Sequence, residues 1–178
     1  SKVEYIRAKS QALPLPDNSF DVVVSRLAFN HIAEVDAVVR EITRVLKPGG
    51  YVAIVERVFP TELDPARFEQ RLNSLENIRD PSHIRFLSVP EISSLLSNSG
   101  VSVKETATTE VTETLSAYLN QTQTLPPNRE HISQWVNGNI TSDDPDHNQI
   151  TGFKPVLKED DIYLTHTHAF VGGVLTKE

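Results

Sequence analysis

The chain has 178 residues, of which 23% are charged and 38% hydrophobic, a composition that suits one globular domain with a buried core. Lys and Arg number 17 against 24 Asp and Glu, and a net charge of −7 offers no electrostatic footprint for nucleic acid or an anionic membrane. Cysteine is absent, which excludes disulfides and thiolate metal sites, and no apolar run approaches the roughly 18 residues of a membrane-spanning helix, so a cytoplasmic protein is expected.

Val3-Glu4-Tyr5-Ile6 opens the chain as a short β-prone run. Ala12 to Ser19, with two prolines and an Asp-Asn-Ser cluster, predicts a loop. Phe20 to Ser25 contains Val22-Val23-Val24, a continuous apolar run that predicts a strand covered on both faces. From Glu34 to Lys47 the residues Val35, Val38, Val39, Ile42, Val45 and Leu46 recur at helical spacing and form one stripe. Lys47 complements the negative end of that helix, and Pro48-Gly49-Gly50 stops it. Tyr51 to Val55 is the next buried strand, so the order strand–helix–strand gives one unit of an α/β parallel sheet.

Further on, Thr61 predicts a helix cap with Asp64 in the first turn and Phe68, Leu72, Leu75 and Ile78 on the buried side. Ser88-Val89-Pro90-Glu91 is a capping box for a helix with Ile92, Leu95 and Leu96 inward and Gly100 as its exit. Val101 to Glu105 alternates like a strand, and the threonine-rich stretch Thr106 to Tyr118 fits either state. Pro126-Pro127 opens a helix through Ile132, Trp135 and Val136 to Gly138, with Trp135 read as core. Thr141 to Asn148, acidic and polar, predicts a mobile loop. Asp161 to Leu175 reads as one or two strands broken at Gly172-Gly173.

Three words in this order carry a family resemblance: Ala12-Leu13-Pro14-Leu15-Pro16-Asp17-Asn18-Ser19-Phe20-Asp21, then Arg44-Val45-Leu46-Lys47-Pro48-Gly49-Gly50, then Arg79-Asp80-Pro81-Ser82-His83. Over roughly residues 3 to 105 the chain resembles the class I S-adenosylmethionine-dependent methyltransferases of the type 11 kind. The resemblance implies a partial Rossmann-like α/β sheet, mostly parallel with an antiparallel C-terminal strand, flanked by helices. It also implies S-adenosylmethionine as cofactor and a small molecule as methyl acceptor.

Two departures qualify what the resemblance implies. Where the family carries a Gly-Asp-Ala word near the cofactor's adenine, this chain has Ala8-Lys9-Ser10. Lysine cannot accept a hydrogen bond from an exocyclic amine, which leaves the backbone amides of Ser10 and Gln11 as the cofactor contacts there. No Gly-x-Gly-x-x-Gly word occurs among the seven glycines. The family's glycine-rich loop and ribose-binding acid would lie before Ser1, so residues 1–178 are expected to form a single truncated domain without the cofactor half. In the family's sheet the strand Phe20 to Ser25 pairs with the first strand, and without it Val22-Val23-Val24 would be a bare apolar edge. Val3 to Ile6 can pair there, a second copy can pair there in a twofold dimer, or a longer parent or another chain can supply the missing part; the homodimer ranks first.

Arg26 and Leu27 follow the buried strand at its carboxyl end, where ligands bind in open α/β sheets, and the resemblance places them against the methionine end of the cofactor. His31, in Phe29-Asn30-His31-Ile32, is the candidate base for the acceptor; its alternative role is a bond to backbone at the helix start. Asp80 and His83 are a candidate acceptor-binding pair, with a plain Asp-Pro turn as the alternative. His166 and His168 alternate on one face of the last strand, a geometry that could clip a metal but that lacks a third ligand, so a solvated strand face is favoured. Three functions follow: a methyltransferase impaired in this form, a non-catalytic dimeric scaffold that keeps the fold, or a small-molecule binding domain using Arg79 to His83.

Overall fold

A computed structural model describes residues 3–59, 65–140, 155–158 and 160–176, with the side chains of 65–71 and 139 left aside. Its centre is one five-stranded sheet. Strands β1 (Phe20–Arg26), β2 (Leu46–Arg57), β3 (Val101–Thr114) and β5 (Asp161–Leu175) lie in the order β1-β2-β5-β3, and the short β4 (Val156–Lys158) pairs with β5. β1 and β2 are parallel, and β5 runs antiparallel to both β2 and β3. Three long strands therefore share one direction and the C-terminal strand opposes them, as expected for a mixed methyltransferase-type sheet.

Helix α1 (Val35–Val45) buries Val35, Val38, Val39, Ile42 and Val45, the predicted stripe. It ends two residues early. Leu46 is already extended, and the Arg44 and Val45 carbonyls accept from the Asn18 and Ser19 N–H groups at 3.0 and 2.8 Å. The prolines' loop thus supplies donors to the helix end, and Arg44 reaches back to the carbonyls of Leu13 and Leu15. Arg44 is the basic residue of the helix's last turn, and the Lys47 ammonium lies 2.7 Å from Asp21. Residues 47–50 sit in the register shift between the pairs Phe20–Leu46 and Val22–Tyr51. Gly49 has φ +77°, and a Cβ on Gly50 would come within 2.8 Å of the Lys47 carbonyl oxygen.

Helix α3 (Val89–Asn98) has the predicted capping box at Ser88 and Glu91 and buries Ile92 and Leu96. With α1 it covers one sheet face, where Val52, Ile54 and Val171 complete the core. The opposite face is covered unevenly. Along β5, Leu164, His166, His168 and Phe170 alternate onto it. Helices α2 (Pro65–Arg79), α4 (Leu115–Asn120) and α5 (Pro126–Ile140) cap its Leu164 end through Leu72, Leu75, Tyr118, Leu119, Ile132 and Val136. The threonine-rich stretch resolves as strand to Thr114, whose hydroxyl then caps α4.

Several expectations are corrected. Val3 to Ile6 forms no strand and does not pair with β1; Val3, Tyr5 and Ile6 are exposed. β1 is covered on one face only, with Val22 55% and Val24 65% exposed, because no helix among the described residues packs on that side. β5 runs unbroken through its glycines, where close packing excludes side chains: a Cβ on Gly173 would lie 2.7 Å from the Ser102 carbonyl oxygen. The predicted cap at Thr61, with Asp64, and the loop Thr141 to Asn148 fall outside the described residues, and so does the Phe68 side chain.

Candidate functional site

The carboxyl ends of β1 and β2 shape the site's near wall. After Arg26 the chain turns at Leu27, which takes φ +52°, a left-handed conformation uncommon for a branched side chain, and its N–H donates to the Val55 carbonyl at 2.8 Å. The next two N–H groups, of Ala28 and Phe29, both donate to Glu56 Oε1 at 2.8 and 2.9 Å. Glu56 is fully buried, and burial pushes its carboxyl above the usual range against those two donors and the nearby His31. Asn30 Nδ2 donates to the Arg57 carbonyl at 3.1 Å, and the Ile84 N–H donates to the Asn30 carbonyl at 2.8 Å. These bonds set the single 3₁₀ turn Phe29–His31 between the sheet and the loop joining α2 to α3.

Within this frame lies a cleft of about 410 Å³. Its far wall is built on Glu76, whose side chain is 1% exposed. Arg57 Nη1 lies 2.8 Å from Glu76 Oε1, Arg79 Nη2 lies 2.8 Å from Oε2, and the buried Tyr118 hydroxyl donates to Oε1. Burial alone would raise the Glu76 pKa; the two guanidiniums and the phenol overcome it and hold the carboxyl at about 2. Arg57 stacks over Phe86 at 4.9 Å from the ring centre, and Arg79 over Tyr118 at 4.3 Å. Farther along β5, His166 Nε2 meets Glu113 at 2.8 Å and stacks on His168 with ring centres 5.8 Å apart. Burial, with Arg57 nearby, lowers His166 to about 3, so the contact is a hydrogen bond from a neutral imidazole. His166 is buried in the cleft wall, which corrects the reading of a solvated strand face. Among the described residues no group of three or more His, Cys, Asp or Glu side chains is placed to hold a metal.

Asp80, Ser82 and His31 form a chain. Asp80 Oδ1 accepts from the Ser82 N–H at 2.9 Å and from the Ser82 hydroxyl at 2.6 Å, and Ser82 Oγ lies 2.9 Å from His31 Nδ1. Burial favours protonation of Asp80, but the Ser82 bonds and the charges of His31 and Arg79 outweigh it and keep the carboxyl below its usual range. Asp80 and His83 do not form the anticipated carboxylate–imidazole pair: only the His83 backbone N–H reaches Asp80, at its carbonyl oxygen, 2.9 Å away. The His83 ring turns inward, with Nε2 3.0 Å from Asn73 Oδ1. That oxygen also accepts the Phe86 N–H at 3.0 Å, so His83 Nε2 carries the proton. Burial lowers His83 to about 4, which leaves it neutral near pH 7.

Of the residues singled out in the sequence, Arg26, Leu27, His31, Asp80 and His83 all line the cleft. Ser10 and Gln11 do not. They lie in the turn between the bridged residues Lys9 and Ala12, where Ser10 Oγ contacts Gln11 Oε1 at 3.4 Å. The described residues therefore do not make a full cradle for S-adenosylmethionine: the adenine-side candidates stand apart from the cleft, and the Lys9 side chain has no acceptor. Sequence reasoning missed Arg57, Glu76, Tyr118 and Ser82. Two signals were available: Glu56-Arg57 directly follows a buried strand at its ligand-binding end, and Glu76 sits one turn after Leu72 on the apolar stripe of α2. Tyr118 carried no comparable signal.

A family model described as methyltransferase domain, of type 11, matches residues 1–54. The uncharacterized methyltransferase YcgJ of Bacillus subtilis is 37% identical over 53% of this chain and 36% of its own length. The uncharacterized protein YafE of Escherichia coli is 31% identical over 65% of this chain and 54% of its own. The chain thus matches only a third to a half of the length of these curated relatives. A solved structure of a candidate methyltransferase from Bacillus halodurans superposes with TM-score 0.83 at 22% identity, covering 99% of this chain and 73% of that one. The YcgJ structure superposes with TM-score 0.79 at 23% identity, covering 96% and 70%. At these identities the superpositions establish the fold. The family match over residues 1–54, the curated relatives and the shared fold together support a class I S-adenosylmethionine-dependent methyltransferase of the type 11 kind.

Proposed function

We propose that this chain forms the acceptor side of a methyltransferase that acts on a small molecule, and that its 178 residues alone are impaired in cofactor binding. The observation that carries the reading is the cleft itself: about 410 Å³ at the carboxyl ends of β1 and β2, where open α/β sheets bind ligands, with His31 on its rim. That volume suits a small organic acceptor, and the net charge of −7 argues against nucleic acid as partner. When bound, the cofactor supplies an electrophilic methyl group. The chain's own part is to position the acceptor and to take its proton at His31. The separation of Ser10 and Gln11 from the cleft supports the impairment.

Titration calorimetry of the purified chain with S-adenosylmethionine and S-adenosylhomocysteine tests this. The expected result is no saturable heat below millimolar ligand; micromolar binding overturns the impairment and leaves an enzyme competent in this form. Transfer of labelled methyl to polypeptide or nucleic acid, by any form of the protein that binds the cofactor, overturns the small-molecule acceptor.

One observation favours a second reading, a non-catalytic dimeric scaffold. Phe20, Val22 and Val24 are exposed on β1, whose outer edge pairs with nothing among the described residues. A twofold antiparallel pairing about Val23 would set Val22 against Val24 of a second copy, and Phe20 against its Arg26, so the edge is self-complementary.

A further inference from the structure

The chain Asp80–Ser82–His31 contains a proton count that has one solution. Asp80 Oδ1 and Ser82 Oγ are 2.6 Å apart, a separation that requires a hydrogen between them. Asp80 is a carboxylate and accepts only, so the hydrogen is the Ser82 hydroxyl proton. A serine has one such proton. Once it is committed to Asp80, Ser82 Oγ can only accept from its other neighbour, His31 Nδ1, 2.9 Å away. Nδ1 must therefore carry the imidazole's hydrogen, and in the neutral ring Nε2 is the lone-pair nitrogen. Among the described residues Nε2 has no hydrogen-bond partner.

We propose that Asp80 and Ser82 are positioning residues that lock His31 in the Nδ1–H tautomer and so present Nε2 as the base that deprotonates the acceptor. The inference rests on the methyltransferase reading for its chemistry and on the hydrogen-bond geometry for the tautomer. In the step, the proton of an acceptor hydroxyl or ammonium group passes to Nε2, and the electron pair of the broken O–H or N–H bond stays on the acceptor atom, which becomes the nucleophile. His31 becomes an imidazolium with both nitrogens protonated. Ser82 Oγ still accepts from Nδ1, so no bond in the chain has to reorganise, and the negative charge of Asp80 faces the new positive one through a single hydroxyl. The arrangement is that of a carboxylate orienting a catalytic imidazole, with a serine interposed. It selects as acceptor class a hydroxyl or amine whose proton must leave, over a tertiary amine or thioether that has none to give.

The test reads the tautomer directly, without cofactor or acceptor. Long-range proton–nitrogen NMR of the uniformly nitrogen-15-labelled chain, at a pH where His31 is neutral, distinguishes protonated from lone-pair ring nitrogens. The wild type is expected to show His31 with a protonated Nδ1 and a lone-pair Nε2. Ser82→Ala is expected to shift the ring to the Nε2–H form that free histidine prefers, and Ser82→Thr, which keeps a hydroxyl, to retain Nδ1–H. An Nε2–H ring in the wild type overturns the inference, and so does an unchanged ring in a folded Ser82→Ala. If Ser82→Ala fails to fold, the wild-type spectrum alone decides. Failure of the methyltransferase reading appears elsewhere, as a wrong acceptor class in the labelled-methyl assay, and leaves the tautomer measurement intact.

Discussion

Arg57 and Glu76 meet 2.8 Å apart although one ends a central strand and the other lies on a helix, and Arg79 reaches the second oxygen of the same carboxylate at an equal distance. Two cations share one buried anion. Such a cluster holds α2 against the end of β2, and it fails asymmetrically, because removing the anion leaves two guanidiniums facing each other out of water. Glu76→Gln is expected to destabilise the fold by about 3–5 kcal/mol, measured by urea denaturation. A loss below about 1 kcal/mol would show that water compensates the arginines and that the cluster is not a structural joint.

Acid should weaken the protein through two buried histidines. Burial lowers His83 to about 4 and His166 to about 3 from an ordinary 6.5. Between those values the unfolded chain binds protons that the folded chain refuses. Their contribution is therefore complete above about pH 6.5 and lost as the pH falls, at up to about 1.4 kcal/mol per pH unit for each ring. Urea midpoints from about pH 7.5 to about pH 5 check this. A slope no steeper than that of a His83→Gln, His166→Gln double variant rejects the assignment.

Two glycines should respond in opposite directions to alanine. At Gly173 a new Cβ meets the Ser102 carbonyl oxygen and Val101 Cγ1, each at 2.7 Å, in the middle of a paired sheet that cannot give way. Gly173→Ala is expected to destabilise by about 1–3 kcal/mol. At Gly138, near the end of α5, a Cβ meets nothing within 4 Å. Gly138→Ala is expected to stabilise by up to about 1 kcal/mol, as a helix position gains a better helix former. Thermal unfolding of the two variants beside the wild type reads both signs.

The bare edge of β1 offers a separate test. Val22 and Val24 are exposed, so replacing both with lysine should change stability by less than about 0.5 kcal/mol each. If the second-copy reading holds, sedimentation shows a concentration-dependent dimer in the wild type and a monomer in the Val22→Lys, Val24→Lys variant, since paired edges would set lysines against each other. A wild type that stays monomeric across the accessible concentrations removes the scaffold reading.

What the sequence by itself determined is local. The stripe of α1, the capping box at Ser88 and Glu91, and the strand identity of Phe20 to Ser25 rest on contacts within a few residues, which periodicity and cap chemistry record directly. The placement of Arg26 and Leu27 at a strand's carboxyl end was legible for a related reason, because fold class dictates where such ends point. The tertiary structure alone decided what burial and distance impose. Val22-Val23-Val24 reads like a strand covered twice, yet coverage depends on which helices pack there, and periodicity carries no record of that. Asp80 and His83 sit close enough in sequence to suggest a pair, but a turn sends one ring inward to Asn73 and the carboxylate outward to Ser82. His31 and Ser82, like Arg57 and Glu76, lie far apart along the chain. Their meeting is a property of the packed sheet and helices, where the low dielectric of the interior makes each pairing hold its partner's charge or proton in place.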